Sequence, residues 1–136
     1  MIHFIDTAVI MFAAGRAHPL KEPCARVLYA VADGTLEATT SAEVVQEILH
    51  RFATGDRDQG DRMARETLRA FYPVLPVDHE TVDRAGALMA RHPTLHARDA
   101  IHAGTCATHG ITRLVSPDTD FDVVDGLTRV DPTAVV

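Results

Sequence analysis

Ile2-His3-Phe4-Ile5-Asp6-Thr7 opens the chain with a short apolar run that ends on a carboxylate. Such a run reads as a buried strand. Outward from it, residues 7–14 read as a short helix stopped by Gly15. Residues 22–33 read as a second helix, with Val27, Leu28 and Val31 on one face and Asp33-Gly34 as its stop. A second strand is expected over 36–40. Ser41 is a natural N-cap for the helix that follows, where Val44, Val45, Ile48, Leu49 and Phe52 recur at helical spacing. Residues 56–71 form a charged helical pattern with Met63, Leu68 and Phe71 inward. Residues 74–77, Val-Leu-Pro-Val, read as a third strand, with Pro76 at its end or on an edge. Helices over 81–91 and 98–109 follow, then a fourth strand over 112–116 and a weak fifth over 127–130.

Strand and helix thus alternate along the chain. That order predicts an α/β fold: a central parallel sheet of four to five strands with helices on both faces and right-handed crossovers. With no repeat, linker or low-complexity tract, the expectation is one domain over residues 1–136. The chain has 136 residues, 46% hydrophobic and 24% charged. Surface scaling at this size gives about 7,000 Å² exposed when folded against about 21,500 Å² unfolded, enough burial for a core without staples. No apolar run approaches the ~18–20 residues of a membrane-spanning helix. The first residues carry no basic segment before Asp6, unlike a signal peptide. Cys24 and Cys106 lack CxxC spacing, so they read as buried free thiols in a reducing cytoplasm. The formal net charge is −6, which argues against a cationic nucleic-acid surface. It leaves room for a carboxylate cluster whose charge a divalent metal offsets.

In open α/β sheets the ligand crevice lies beyond the C-terminal strand ends. Asp6 follows the first strand and Asp118 the fourth. Asp99 begins the helix that leads into that fourth strand, and Glu47 lies in the helix after the second. These four acids are 41, 52 and 19 residues apart in sequence, yet the fold brings them to one side of the sheet. Carboxylates crowded together need cations. Hard divalent ions with oxygen ligands, Mg²⁺ or Mn²⁺, suit them. Two such ions ~3.5–4 Å apart can activate water and stabilise a leaving oxygen in phosphodiester hydrolysis. Each acid alone has a simpler role: Asp6 as an N-cap, Glu47 as a solvated helix residue, Asp99 as a helix-start acid, Asp118 as a turn residue. Glu43 shares roughly one helix face with Glu47 and is the alternative to it. The case rests on the set.

Four segments carry a resemblance: Phe4-Ile5-Asp6-Thr7; Thr40-Ser41-Ala42-Glu43-Val44-Val45-Gln46-Glu47-Ile48; Ala97-Arg98-Asp99-Ala100-Ile101-His102-Ala103; and Val115-Ser116-Pro117-Asp118-Thr119-Asp120-Phe121. In order and spacing they resemble the four blocks of PIN domains, closest to the VapC-type ribonuclease toxins of toxin–antitoxin operons. The resemblance implies a Mg²⁺-dependent endoribonuclease, a VapB-type antitoxin partner, RNA as substrate and a homodimer. It implies Asp6, Glu47, Asp99 and Asp118 as the catalytic and metal-binding acids, and it selects Glu47 over Glu43. It suggests Asp120 as a further acid that reaches the site or orients a ligand water. Many relatives carry Ser three residues before the third acid, as a capping box; here His96 stands there.

Other chemistries fit less well. His92, His96, His102 and His109 gather near the third acid without zinc-site spacing. His102, three residues after Asp99, reads as a packed or hydrogen-bonded side chain that could touch the site. Ser41 and Ser116 lack a GxSxG elbow, and no P-loop or GxGxxG is present. Lys21 is the sole lysine and lies early, which leaves an aspartyl-phosphate receiver chemistry without its downstream lysine. Arg98, beside Asp99, is a candidate phosphate contact. Arg51, Arg57, Arg62, Arg65 and Arg69 are expected mostly to pair with Asp56, Asp58, Asp61 and Glu66. The rival from another class is a catalytically inactive PIN-like module that binds a protein; the presence of all four acids argues against it. Val9, Ile10, Met11 and Phe12 read as core, with an edge open to a partner.

Overall fold

The computed structural model describes residues 1–135. Its sheet has four strands: β1 (His3–Ile5), β2 (Ala38–Thr39), β3 (Arg113–Val115) and β4 (Thr128–Val130), in the order β2-β1-β3-β4. Every pairing is parallel, with Phe4 opposite Thr39 and Leu114, and Leu114 opposite Arg129. Six helices connect them: α1 (Thr7–Ala14), α2 (Lys21–Ala32), α3 (Ala42–Phe52), α4 (Arg57–Ala70), α5 (His79–Arg91) and α6 (Ala97–Thr108). Two 3₁₀ turns, Thr119–Val123 and Pro132–Ala134, follow β3 and β4.

Successive strand residues point to opposite faces. Phe4 and Ile5 are both fully buried, as are Leu114 and Val115, so helices cover both faces of the sheet. From β1 the chain runs outward to β2 on one side, and β3 joins on the other. The topological switch therefore lies between β1 and β3, where a ligand crevice is expected beyond the strand ends. Asp6 and Asp118 stand there. The helix that carries Asp99 is held close: a Cβ on Gly104 would meet the Thr81 carbonyl at 2.8 Å, so α6 packs on α5 at a distance only glycine permits. The folded surface of 7428 Å² agrees with the size scaling. Among the described residues no helix is long and apolar enough to cross a membrane.

The third expected strand does not form. Leu75 makes a single parallel bridge to Ser41, donating to the Thr40 carbonyl and accepting from the Ala42 amide, each at 2.8 Å. Pro76 then has no N–H to continue a ladder, and beyond Ser41 the partner chain has become α3. The sheet stops at four strands, the lower of the two expected numbers. One inward assignment also fails, since Leu68 is 41% exposed, and Leu49 of the apolar pattern on α3 is 46% exposed. Helix α4 packs instead through Gly60, Met63, Ala64 and Thr67, a stripe that Leu68 misses by one helical step.

Candidate functional site

Asp6 leaves β1 and caps α1. Its Oδ1 accepts the Thr7 backbone N–H at 2.8 Å, and its Oδ2 accepts the Ser116 hydroxyl at 2.7 Å. That hydroxyl oxygen accepts the Asp118 backbone N–H at 3.0 Å, so one serine joins the ends of β1 and β3. Asp118 in turn caps the 3₁₀ turn by accepting the Asp120 N–H at 2.9 Å. The capping roles expected of Asp6 and Asp118 are therefore real, and they fix the same carboxylates in the crevice. His96 makes no side-chain cap on α6, and Asp99 occupies the first turn of that helix.

The acids meet in two overlapping groups. Asp6, Asp99 and His102 each offer an atom within 4.8 Å of the others, as do Asp99, Asp118 and Asp120. Asp99 belongs to both. Burial, and then repulsion from Asp6 and Asp118, pushes its carboxyl up to about 6. Burial, which outweighs the pull of His102 and Ser116, also raises Asp6. Such strain between oxygens is what a hard divalent cation relieves. The donors are carboxylate oxygens, joined in the first group by the His102 imidazole; the oxygens fit Mg²⁺ or Mn²⁺, and the set suits a thiolate-seeking metal poorly.

Glu47 stands apart from both groups. Its Oε1 accepts the Thr7 hydroxyl at 3.0 Å and lies 3.2 Å from His102 Nε2, while its Oε2 lies 3.6 Å from Arg51. Burial alone would raise its carboxyl, but His102, Thr7 and Arg51 together hold it below the ordinary range. Burial likewise opposes charge on His102, yet Glu47, Asp6 and Asp99 raise that imidazole. Glu43 is only half-buried and joins neither group among the described residues.

The sequence points to the five acids, and to His102 as a packed or hydrogen-bonded side chain that could touch the site; in the structure it is buried and hydrogen-bonded beside Glu47. Two hydroxyls that orient the acids, those of Thr7 and Ser116, were missed. Their signal was adjacency: Thr7 directly follows Asp6, and Ser116 precedes Asp118 by two residues. Arg98 is partly buried and makes no ion pair among the described residues. The expected arginine pairing on the middle helices is mostly absent there. Arg65 pairs with Asp61, but Arg51 turns to Glu47 and Arg57 to the Ala53 carbonyl.

A groove of about 580 Å³ runs between α1, α2 and α4, lined by Ile10, Leu28, Tyr29, Met63 and Phe71 among others. Val9 and Ile10 are buried, and Met11 and Phe12 pack partly against the core.

Comparison with known proteins places this geometry. The family model of the PIN domain matches residues 3–127. Ribonuclease VapC13 of Mycobacterium tuberculosis is 35% identical over 127 residues, covering 93% of this chain and 97% of the relative. Ribonuclease VapC7 of the same organism is 36% identical over 135 residues, covering 96% and 91%. Among solved structures, VapBC2 from Rickettsia felis, bound to a DNA fragment from its promoter, aligns with TM-score 0.75 at 14% identity over 96% of this chain and 98% of that one. FitAcB from Neisseria gonorrhoeae aligns with TM-score 0.73 at 23% identity over 97% and 98%. At those identities the two structures speak to the fold.

Proposed function

The chain belongs to the PIN domain family, among its VapC ribonucleases, and on that premise we propose that it is a metal-dependent endoribonuclease acting as the toxin of a toxin–antitoxin pair. The observation that carries the proposal is the convergence of Asp6, Asp99, Asp118 and Asp120 beyond the ends of β1 and β3, with Asp99 raised to about 6 by burial and then by repulsion from Asp6 and Asp118. Asp6, Asp99 and Asp118 are the residues we assign to hold Mg²⁺ or Mn²⁺, with Glu47 the fourth catalytic acid and Asp120 and Arg98 secondary. Once bound, the ion would supply the positive charge that activates water and offsets charge developing on the phosphate.

The chain's own groups do the rest. Ser116 and the Thr7 amide hold both oxygens of Asp6, which leaves each oxygen one lone pair for the crevice. Asp118 is fixed by its own cap and by the Ser116 oxygen. Glu47, ionised at neutral pH, has its Oε2 3.6 Å from Arg51 and is the acid we assign to accept a proton of an attacking water. A substrate phosphate is drawn to an acidic crevice only when the crevice carries cations, so RNA binding and metal binding are coupled.

RNA as substrate, a VapB-type antitoxin, a homodimeric state and a cytoplasmic location belong to the same proposal. Relatives named as ribonucleases support the first. For the antitoxin, the apolar groove is suggestive. Ile10 lines it three residues beyond Thr7 on α1, about 4.5 Å along the helix axis. A segment with apolar anchors in the groove could therefore send an arginine to the carboxylates, which its planar fork suits. The test is an RNA-cleavage assay on the chain freed from any partner. Cleavage that requires Mg²⁺ or Mn²⁺ and stops with EDTA is expected; cleavage indifferent to EDTA overturns the proposal.

A further inference from the structure

His102 sits at the back of the crevice, fully buried, one turn beyond Asp99 on α6. Its ring lies against Phe4, with centroids 5.7 Å apart. Nε2 faces two carboxylate oxygens, Glu47 Oε1 at 3.2 Å and Asp6 Oδ1 at 3.7 Å. Nδ1 is sealed from solvent and has no hydrogen-bond partner among the described residues. By distance alone His102 groups with Asp6 and Asp99 as a metal ligand. Proton placement argues otherwise.

A histidine ligates through a nitrogen lone pair, and its other ring nitrogen then carries the proton and almost always gives it to an acceptor. If Nε2 were the ligand here, the proton would sit on Nδ1, buried with nothing to receive it. An unmade buried donor of that kind is destabilising, and the Nε2 lone pair would face two anionic oxygens. With the proton on Nε2, Nε2–H points at the carboxylates, the lone-pair repulsion is gone, and the Nδ1 lone pair is the one ring group left without a partner. A doubly protonated ring also keeps the proton on Nε2. In neither form does Nε2 offer a lone pair to an ion.

Resting on the ribonuclease reading above, we infer that His102 is a positioning residue: through Nε2–H it holds Glu47 by Oε1, outside the metal ligand set. Thr7 donates to the same oxygen, so Oε1 is doubly engaged, and Oε2, 3.6 Å from Arg51, is the oxygen left for the reaction. The clamp explains why Glu47, alone of the four assigned acids, joins neither group of converging oxygens. It also joins three sequence blocks, through Thr7 after β1, Glu47 on α3 and His102 on α6.

Substitution separates donor from ligand. The side-chain nitrogen of Gln reaches the place of Nε2, whereas that of Asn reaches only the place of Nδ1. His102→Gln should keep RNA cleavage within about threefold of the parent, and His102→Asn should lose about 10–100-fold in kcat with KM little changed, the range for groups that orient an active-site ligand. Thermal melts of both variants establish that they fold. Long-range ¹H–¹⁵N NMR on the intact chain reads the ring directly. Nε2 should be protonated with and without saturating Mg²⁺. Equal activity of folded Gln and Asn variants, or an Nε2 that is unprotonated with Mg²⁺ present, overturns the inference. Should the parent chain cleave no RNA, the ribonuclease reading falls, and the NMR result still decides the role of His102.

Discussion

Replacing Asp99 with Asn should make the metal-free protein more stable, not less. Asp99 titrates at about 6 in the folded chain against an ordinary value of 3.8. Between those values the folded state binds more protons than the unfolded one. The contribution of this group is therefore greatest below pH 3.8, falls as pH rises, and is lowest above 6. At about 1.4 kcal/mol per pH unit the full difference is about 3 kcal/mol. The crevice is partly open, so solvent screening reduces this to about 1–2 kcal/mol. Asn also gives up the favourable interaction of an acid with the start of α6, about 0.3–1 kcal/mol. A net gain of about 1 kcal/mol at pH 7.5 remains, or about 3–5 °C in Tm. The assay is thermal melting in EDTA at pH 7.5 and at pH 4.5, where the gain should shrink because folded Asp99 is largely protonated. Added Mg²⁺ should reverse the order: at about 100 times its Kd an ion adds about 2.7 kcal/mol to a protein that binds it, and only the parent should benefit. An Asp99→Asn chain that melts below the parent in EDTA at pH 7.5, or Mg²⁺ that stabilises both alike, refutes the reasoning.

Ser116→Ala removes the bond to Asp6 Oδ2 at 2.7 Å and the acceptor for the Asp118 amide; cleavage should fall about 10–100-fold while the melting curve stays cooperative. Phe121→Ala empties a fully buried site beneath the turn that carries Asp120 and should cost about 3–5 kcal/mol by urea denaturation. If an antitoxin arginine occupies the carboxylate crevice, raising Mg²⁺ should weaken inhibition in the reconstituted complex, and changing that arginine to Ala should restore cleavage; inhibition indifferent to both would place the block outside the acids.

Much of the site was legible because strand ends and acids are both local signals. A short apolar run that stops at a carboxylate marks β1 and Asp6, and the alternation of strand and helix says which acids share an end of the sheet. Residues 74–77 misled because a strand needs a neighbour as well as a pattern: Leu75 finds one bridge, and Pro76 and the start of α3 forbid a second. Leu49 and Leu68 have the right hydrophobicity for the core, but helix azimuth is set by the packing of α3 on α4, which no single helix encodes. The choice of Glu47 over Glu43 needed the family resemblance, and the burial of Glu47 beside Thr7 and His102 supplies a physical reason for it. Thr7, Ser116 and His102 were harder to read because hydroxyls and imidazoles acquire a role only from partners, and theirs lie 40, 110 and 55 residues away.

The acids beyond β1 and β3 are proposed to form one cation-dependent centre for RNA hydrolysis. Asp6 joins the most parts of it, since it caps α1, takes the Ser116 hydroxyl and lies within 4.8 Å of Asp99. The most direct measurement is the rate of RNA cleavage by Asp6→Asn and by the parent chain, purified in parallel and assayed in saturating Mg²⁺. The parent should cleave RNA and the variant should lose at least about 100-fold, with a melting temperature no lower than the parent's in EDTA. Undiminished cleavage by a folded Asp6→Asn chain would contradict it.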